Sequence, residues 1–394
     1  MLCLRDPSGV TEAVLTVPRS LAPILALFDG ARSLVDVQAE IMRQCGELVL
    51  RSQLESMIEV LDQHLFLEGP RVDAERSRQR AAFLDGATRP AFLAGRSYDS
   101  EPGALAAALD GHFAPPDGPG PIGPSRDVPV HGLIAPHIDF SRGGPAYAWA
   151  YRALAEAPAA DCFVLLGTAH GGLDGHAFAA TAKAFETPLG PLEVDGEVLD
   201  AVARRASPDL FAAELAHRSE HSIEFQAVWL RYLSHRAGRE APRIVPLLAS
   251  FAHECLVRRT SPALERGVQA VLDAVRDAMA AVPRRYCVVA GADLAHVGPR
   301  FGDERPVHRG ELARVRADDH ALLEPVVLND AEAFFAQATR QQDRNRICGL
   351  SPIYALLRLL PTGPGRLLRY GQWPDPDGTV TFASVSFGPD APTG

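Results

Sequence analysis

From residue 128 to the end of the chain, short apolar runs alternate with amphipathic stretches, and this alternation admits few folds. The runs are VPVHGLIAP, CFVLLG, RIVPLLAS, YCVVAG, LLRYGQ and VTFASVSF. Between them lie blocks with helical spacing, such as GGPAYAWAYRAL, DGEVLDAVARR, SIEFQAVWLRYL and SPALERGVQAVLDAVRDAMAAV. Strands that are apolar throughout need cover on both faces. The reading is therefore an α/β fold, a central and mostly parallel sheet with helices on each side. In such a sheet the site is expected beyond the carboxyl ends of the strands.

At 394 residues the chain is too long for this layer alone, and its first part reads differently. Leu21, Ile24, Leu25 and Leu27 suit a helix stopped by Asp29-Gly30. Ser33 caps a second helix and Ser52 a third, and LFLEG at 65–69 reads as a short strand or wing. Three helices and a wing describe a winged-helix unit over residues 1–72, and LFDGARSLVDVQAEI resembles the small peptide-binding domains of the PqqD type. Residues 73–127 are expected to hold a linking helix, the first helix of the large domain and the loop APPDGPGPIGPSRD, too rich in Pro and Gly for either period. The α/β domain then occupies 128–394.

Charge removes one class of function. The formal net charge is −10, and residues 1–70 carry five arginines against ten acidic residues, which repels phosphate. No nucleic-acid partner is expected, and the DNA-reading use of a winged helix is disfavoured. No apolar run reaches the ~18 residues of a membrane span, and the start MLCLRD lacks a secretion signal, so the expectation is a cytoplasmic protein with no membrane partner. Its six cysteines show no CxxC pairing, and most are expected to be reduced, buried small hydrophobes.

The polar residues at the strand ends point to chemistry. GLIAPHIDF ends in His137, VLLGTAHGG in His170, and VVAGADLAHVG in Asp293 and His296. His221 and Glu224 stand at the start of a helix in SEHSIEFQ. In RICGLSPIYALL, Cys348 lies three residues ahead of Ser351-Pro352, read as an N-cap followed by Pro at the first helical position, where the helix dipole lowers a thiol's pKa. Taken singly, each is accounted for by a structural histidine, a cap or a buried thiol. Their recurrence along one sheet edge admits three readings: a mononuclear metal site built from two imidazoles and an anionic ligand, a binding cleft, or a buried polar network.

The segments GLIAPHIDFSRGGPAYAWAYRAL, FVLLGTAHGG, ETPLGPLEVD, SEHSIEFQAVWLRYL, IVPLLAS, GADLAHVGPRFG, NRICGLSPIYALL and LLRYGQ fall in the order of the motifs of the Memo family, whose bacterial and archaeal members are called AmmeMemoRadiSam system protein B. The resemblance covers roughly residues 86–394. It implies a fold similar to class III extradiol dioxygenases, which hold non-haem iron with two His and a carboxylate, and it places a Cys where that carboxylate stands. Carried over, the metal ligands are His137, His170 and Cys348. Asp293, His296 and His221 line the pocket as proton-handling groups.

The chain departs from the family at Gly171, where a second His is common, and at Ala295 and Val297, where a Cys and a Trp are common. A thiolate ligand favours copper or iron, with zinc also possible, and makes the site oxidisable. The resemblance thus implies metal-dependent, dioxygenase-like redox chemistry beside radical SAM and AMMECR-type companions, on a peptide or protein substrate. The alternative is a non-catalytic peptide or phosphopeptide adaptor, with Arg142, Arg218, Arg300 and Arg346 as the cations near the motifs.

Overall fold

A computed structural model describes residues 1–6, 9–46, 48–206 and 209–389. The chain divides into two compact units, Met1–Asp85 and Gly86–Gly394.

In the first unit, β1 (Leu2–Arg5) and β2 (Val14–Val17) form an antiparallel pair. The short α1 (Ala22–Leu25) follows, then α2 (Leu34–Cys45), α3 (Arg51–Gln63) and α4 (Pro70–Asp85). Ser33 caps α2 as expected: its hydroxyl accepts from the Asp36 amide, and the Asp36 carboxylate accepts from the Ser33 amide. Leu27, Val37, Ile41 and Leu54 make the buried core.

Two expectations are corrected here. Ser52 does not cap α3, because the helix has already begun at Arg51 and Leu50 holds the cap position, its amide bonded to Gln53. The LFLEG segment is no strand. Leu65 takes a left-handed conformation (φ 65°) that ends α3, and Pro70 opens α4 five residues later.

The second unit runs β3 (Thr88–Arg89), α5 (Pro102–Gly111), β4 (Gly132–Ala135), α6 (Phe140–Ala155), β5 (Cys162–Thr168), β6 (Phe178–Ala180), β7 (Ala184–Phe185), α7 (Gly196–Arg205) and α8 (His221–Arg236). It continues with β8 (Arg243–Ala249), α9 (Ala252–Arg258), α10 (Arg266–Ala281), β9 (Tyr286–Gly291), β10 (Asp293–Val297), α11 (Arg309–Val327), α12 (Ala331–Arg340), α13 (Leu350–Leu359), β11 (Gly365–Trp373) and β12 (Thr379–Phe387). The main sheet has the order β10-β12-β4-β9-β5-β8-β6, with β11 also on β12. β4, β9, β5 and β8 are mutually parallel, and the remaining pairings are antiparallel. The fold is α/β, and the four central strands are almost wholly buried, as their unbroken apolar sequences require. No described helix is long and apolar enough to cross a membrane.

One packing detail positions everything at the strand ends. Gly167 of β5 and Gly291 of β9 are register partners. A Cβ on Gly167 would meet Ile223 and Ser222 side-chain atoms at 2.6 Å, and one on Gly291 would meet the Ser222 carbonyl oxygen at 2.4 Å. The glycine pair is a notch into which the first turn of α8 sinks. Ser222 Oγ then donates to the Thr168 carbonyl (2.9 Å), and Gln226 Nε2 to the Pro136 carbonyl (2.7 Å). Farther along α8, Trp229 stacks on Tyr147 and Tyr151 of α6, ring centroids 5.7 and 5.3 Å away.

At the antiparallel side, Asp319 of α11 accepts from Tyr370 Oη (2.7 Å) and Thr381 Oγ (2.6 Å), while its other oxygen is buried without a partner. Burial pushes its carboxyl up to about 6 against the two hydrogen bonds.

Two outcomes follow from this packing. Gly291→Ala and Gly167→Ala each cost roughly 1–3 kcal/mol in urea denaturation, Gly291→Ala the more because its Cβ meets backbone; losses within ~0.5 kcal/mol contradict the notch. Because the Asp319 pKa is raised in the folded state, its protonated form adds stability that is complete below about pH 4 and lost as pH rises through about 6. Asp319→Asn is expected to remove a component of about 2–3 kcal/mol from the fall in stability between those pH values, and an unchanged pH slope contradicts it.

A candidate metal centre at the strand ends

β4 and β5 flank β9 in the sheet, so the residues that follow them converge. His137 stands two residues beyond β4. Its ring Nδ1 bonds the Gly291 carbonyl (2.9 Å), which leaves Nε2 for other partners. His170 stands two residues beyond β5, and both its amide and its Nδ1 bond the Glu220 carboxylate (2.9 and 3.0 Å). His221 opens α8, with Nδ1 3.2 Å from the same carboxylate. The ring centroids lie 4.9 Å (His137–His170), 5.2 Å (His137–His221) and 4.6 Å (His170–His221) apart.

One ligand atom from each of the three lies within 4.8 Å of the other two, close enough to share one metal ion. The donor chemistry fits: each ring has one nitrogen beside a carbonyl or carboxylate, the arrangement that fixes the tautomer of a metal-ligating histidine. The His170 and His221 side chains are 36 and 34% exposed, so the centre is open to solvent.

Electrostatics separates the three rings. Burial, with repulsion from the other two imidazoles, pushes His137 well below the usual histidine range. Burial opposes charge on His170, but the Glu220 carboxylate outweighs it and raises its pKa. His221 is lowered by burial despite Glu220. Glu220 itself is buried, yet His170 and His221 hold it far below the normal carboxylate range.

The other sequence candidates fall around this cluster. Asp293, fully buried, accepts from the His137 amide (2.9 Å), with its other oxygen 3.7 Å from His137 Nε2. Burial pushes its carboxyl up to about 7. Cys348 Sγ lies 3.2 Å from His137 Nε2 and 3.7 Å from the Asp293 carbonyl. His296 is on β10, its Nδ1 bonded to the Leu294 carbonyl and its ring against Phe301 (4.9 Å). Burial pushes it down to about 4, and it is not one of the three clustered rings.

Three expectations change. α13 begins at Leu350 with Gly349 as its N-cap, two residues earlier than Ser351-Pro352 suggested, and Ser351 Oγ instead accepts from the Phe251 and Ala252 amides at the start of α9. The Cys348 thiol is not activated by the helix: enclosure by protein, then the Asp293 charge, push it well above its ordinary value. Glu224 is no site residue, being buried under Arg89 and Tyr98 with the Leu93 amide on its second oxygen. The carboxylate that serves the histidines is Glu220, which the sequence reading missed. Its signal was its place directly before His221, at the cap of α8, where it accepts from the Ser222 amide.

The glycines of VLLGTAHGG also separate. Gly167 serves the notch rather than a turn, whereas Gly171 and Gly172 border open space and Gly172 has φ +76°. A cavity of about 840 Å³ exists elsewhere, lined by Asp161, Phe163 and Arg243 at the amino ends of β5 and β8, and it does not belong to this centre.

Comparison with known proteins gives a consistent answer. The family model described as Memo-like protein matches residues 89–388. A MEMO1 family protein of Thermus thermophilus is 32% identical over 340 residues, covering 86% of this chain and 93% of that protein. One from Aquifex aeolicus is 26% identical over 389 residues, covering 98 and 95%, so that match extends over the first unit too. One from Methanopyrus kandleri is 28% identical over 311 residues, covering 76 and 98%.

The thiol environment is directly measurable. In metal-free, reduced protein near pH 8, Cys3, which is exposed, is expected to alkylate more than about tenfold faster than Cys348, whose thiolate is disfavoured. Mass mapping that finds Cys348 labelled first contradicts the raised pKa.

Proposed function

The chain belongs to the Memo family, and from that premise we propose that it is a metal-dependent redox protein with one metal ion at the carboxyl ends of the parallel strands. The observation that carries this is the convergence of His137, His170 and His221, each with its second ring nitrogen beside a carbonyl or carboxylate. His137 and His170 are the common ligands. His221 completes the set by its position in the cluster, and Cys348, 3.2 Å from His137 Nε2, is the thiolate donor that the family resemblance implies. Iron or copper suits such a mixed imidazole and sulfur set, and zinc is a further fit. When bound, the ion supplies Lewis acidity and, for iron or copper, one-electron chemistry at its open positions.

The chain's own residues supply the rest. Asp293, at about 7, can hold or release a proton near neutral pH while it orients the His137 backbone. Glu220 ties His170 and His221 into one unit. His296, on β10, is a further proton-handling candidate. The substrate is proposed to be a peptide or protein, from the likeness of the first unit to peptide-binding domains, and the radical SAM and AMMECR-type companions are proposed partners in a shared modification.

A second reading, a peptide-binding cleft without metal, has one observation in its favour. A Cys348 thiol donating to His137 Nε2 satisfies both groups with no ion present. Its phosphopeptide form is weakened by the arginines it needs. Arg142, Arg300 and Arg346 are paired with Asp139, Asp375 and Asp303, and Arg218 lies over the Phe92 ring.

Protein purified without oxygen is expected to carry about one equivalent of metal per chain by elemental analysis, lost from a folded His170→Ala variant. An absorbance change on admitting oxygen, absent from the same variant, marks the redox step. Loss in His221→Ala with retention in Cys348→Ala selects the three-imidazole set, and the reverse selects the thiolate set. Folded wild-type protein that neither carries nor takes up metal overturns the proposal.

A further inference from the structure

We propose that Arg89, which touches none of the three histidines, is the positioning residue of the metal centre: its guanidinium sets the backbone of 217–224 so that Glu220 faces His170 and His221. Arg89 ends β3 and is wholly buried. Its Nε donates to the His217 carbonyl (2.9 Å), Nη2 to the Glu220 carbonyl (2.8 Å), and Nη1 to the Pro90 carbonyl (2.9 Å) and to the Glu224 carboxylate. Three of these four acceptors belong to residues 217–224, the segment that enters α8 together with its first turn.

Glu220 is the pivot of that segment. Its backbone is extended (φ −71°, ψ 127°), so its carbonyl and its side chain can serve different partners. The carbonyl is held by Arg89, and the carboxylate is held by His170, His221 and the Ser222 amide. Arg89 therefore fixes one side of a residue whose other side fixes two imidazoles. Glu224, one helical turn on, is the anchor of the clamp, because Tyr98 and the Leu93 amide hold the carboxylate that Arg89 grips. The glycine notch confines the same turn from the sheet side.

A buried ion pair is a poor device for stability alone. Desolvation takes back most of its attraction, and well-packed apolar replacements are often as stable. What an arginine offers here, and no apolar residue can, is a planar fork that reads several acceptors at fixed angles. Lysine keeps the charge opposite Glu224 but cannot span the His217 and Glu220 carbonyls together.

The proposal rests on the metal reading, and its test separates the two. Cobalt(II) is titrated into Arg89→Lys and into the charge-neutral double variant Arg89→Met/Glu224→Leu, beside wild type and a core control, Trp229→Phe. Both Arg89 variants are expected to bind cobalt about 10–100-fold more weakly and to show an altered ligand-field spectrum, while the control keeps both. In metal-free protein, the imidazole nitrogen resonances of His170 are expected to lose the signature of a bonded Nδ1–H in the two variants only.

Wild-type cobalt affinity and spectrum in folded Arg89 variants overturn the proposal. If wild type binds no cobalt, the metal reading fails by itself, and the imidazole resonances still decide: a His170 Nδ1 bond that persists in the variants overturns the role of Arg89. If neither variant folds, Arg89 is a requirement of the fold rather than of the site, and the proposal is overturned as well.

Discussion

How closely a helix can approach a sheet decides what can meet at the sheet's edge. Here α8 enters where two glycines, Gly167 and Gly291, face each other across neighbouring parallel strands, and a Cβ on Gly291 would leave only 2.4 Å to the Ser222 carbonyl. Parallel strands alone bring His137 and His170 together, since both follow strands that flank β9. They cannot supply His221 or Glu220, which belong to the helix. The notch converts a two-histidine strand edge into a three-histidine cluster with its own carboxylate, and the hydrogen bonds of Ser222 and Gln226 to strand-end carbonyls hold it there.

The strand ends were readable because each histidine follows an unbroken apolar run, and a buried parallel strand has few reasons to end in an imidazole. His221 was readable as a polar group opening an amphipathic helix. Glu220 was not, because Glu220 and Glu224 stand on either side of His221 at the start of one helix and nothing local tells them apart. Which of them meets the histidines depends on Arg89, more than 130 residues earlier in the sequence, which grips Glu224 and the backbone of Glu220. A long-range ion pair leaves no local period to detect. The start of α13 failed for a related reason. Ser351-Pro352 has the form of a cap, but the Ser351 hydroxyl serves the amides of α9, a tertiary use that outweighs the local preference.

Cys348 shows how a local rule is overruled by burial. A thiol before a helix feels a partial positive charge that favours thiolate, but the gain is small and confined to the first turn. Enclosure by protein and the nearby Asp293 carboxylate act in the opposite sense and dominate. The protonated thiol then donates to His137 Nε2, the one nitrogen of that ring not committed to Gly291. On the proposed thiolate set, metal and proton would compete for the same pair of atoms, and a cation that displaces the proton would remove the cost that burial imposes on the sulfur anion.

The second-sphere contacts also make the three histidines unequal. His137 leans on a neutral carbonyl, whereas His170 and His221 share a single carboxylate that stays ionised although buried. A carboxylate behind an imidazole makes it a stronger donor than a carbonyl does. Two of the three rings thus depend on the placement of Glu220, whereas His137 does not. The cluster therefore has one ring, His137, held by strand-end backbone alone, one, His170, that follows a strand but is tied to Glu220, and one, His221, supplied by α8, and the segment from His217 to Glu224 carries what the last two share.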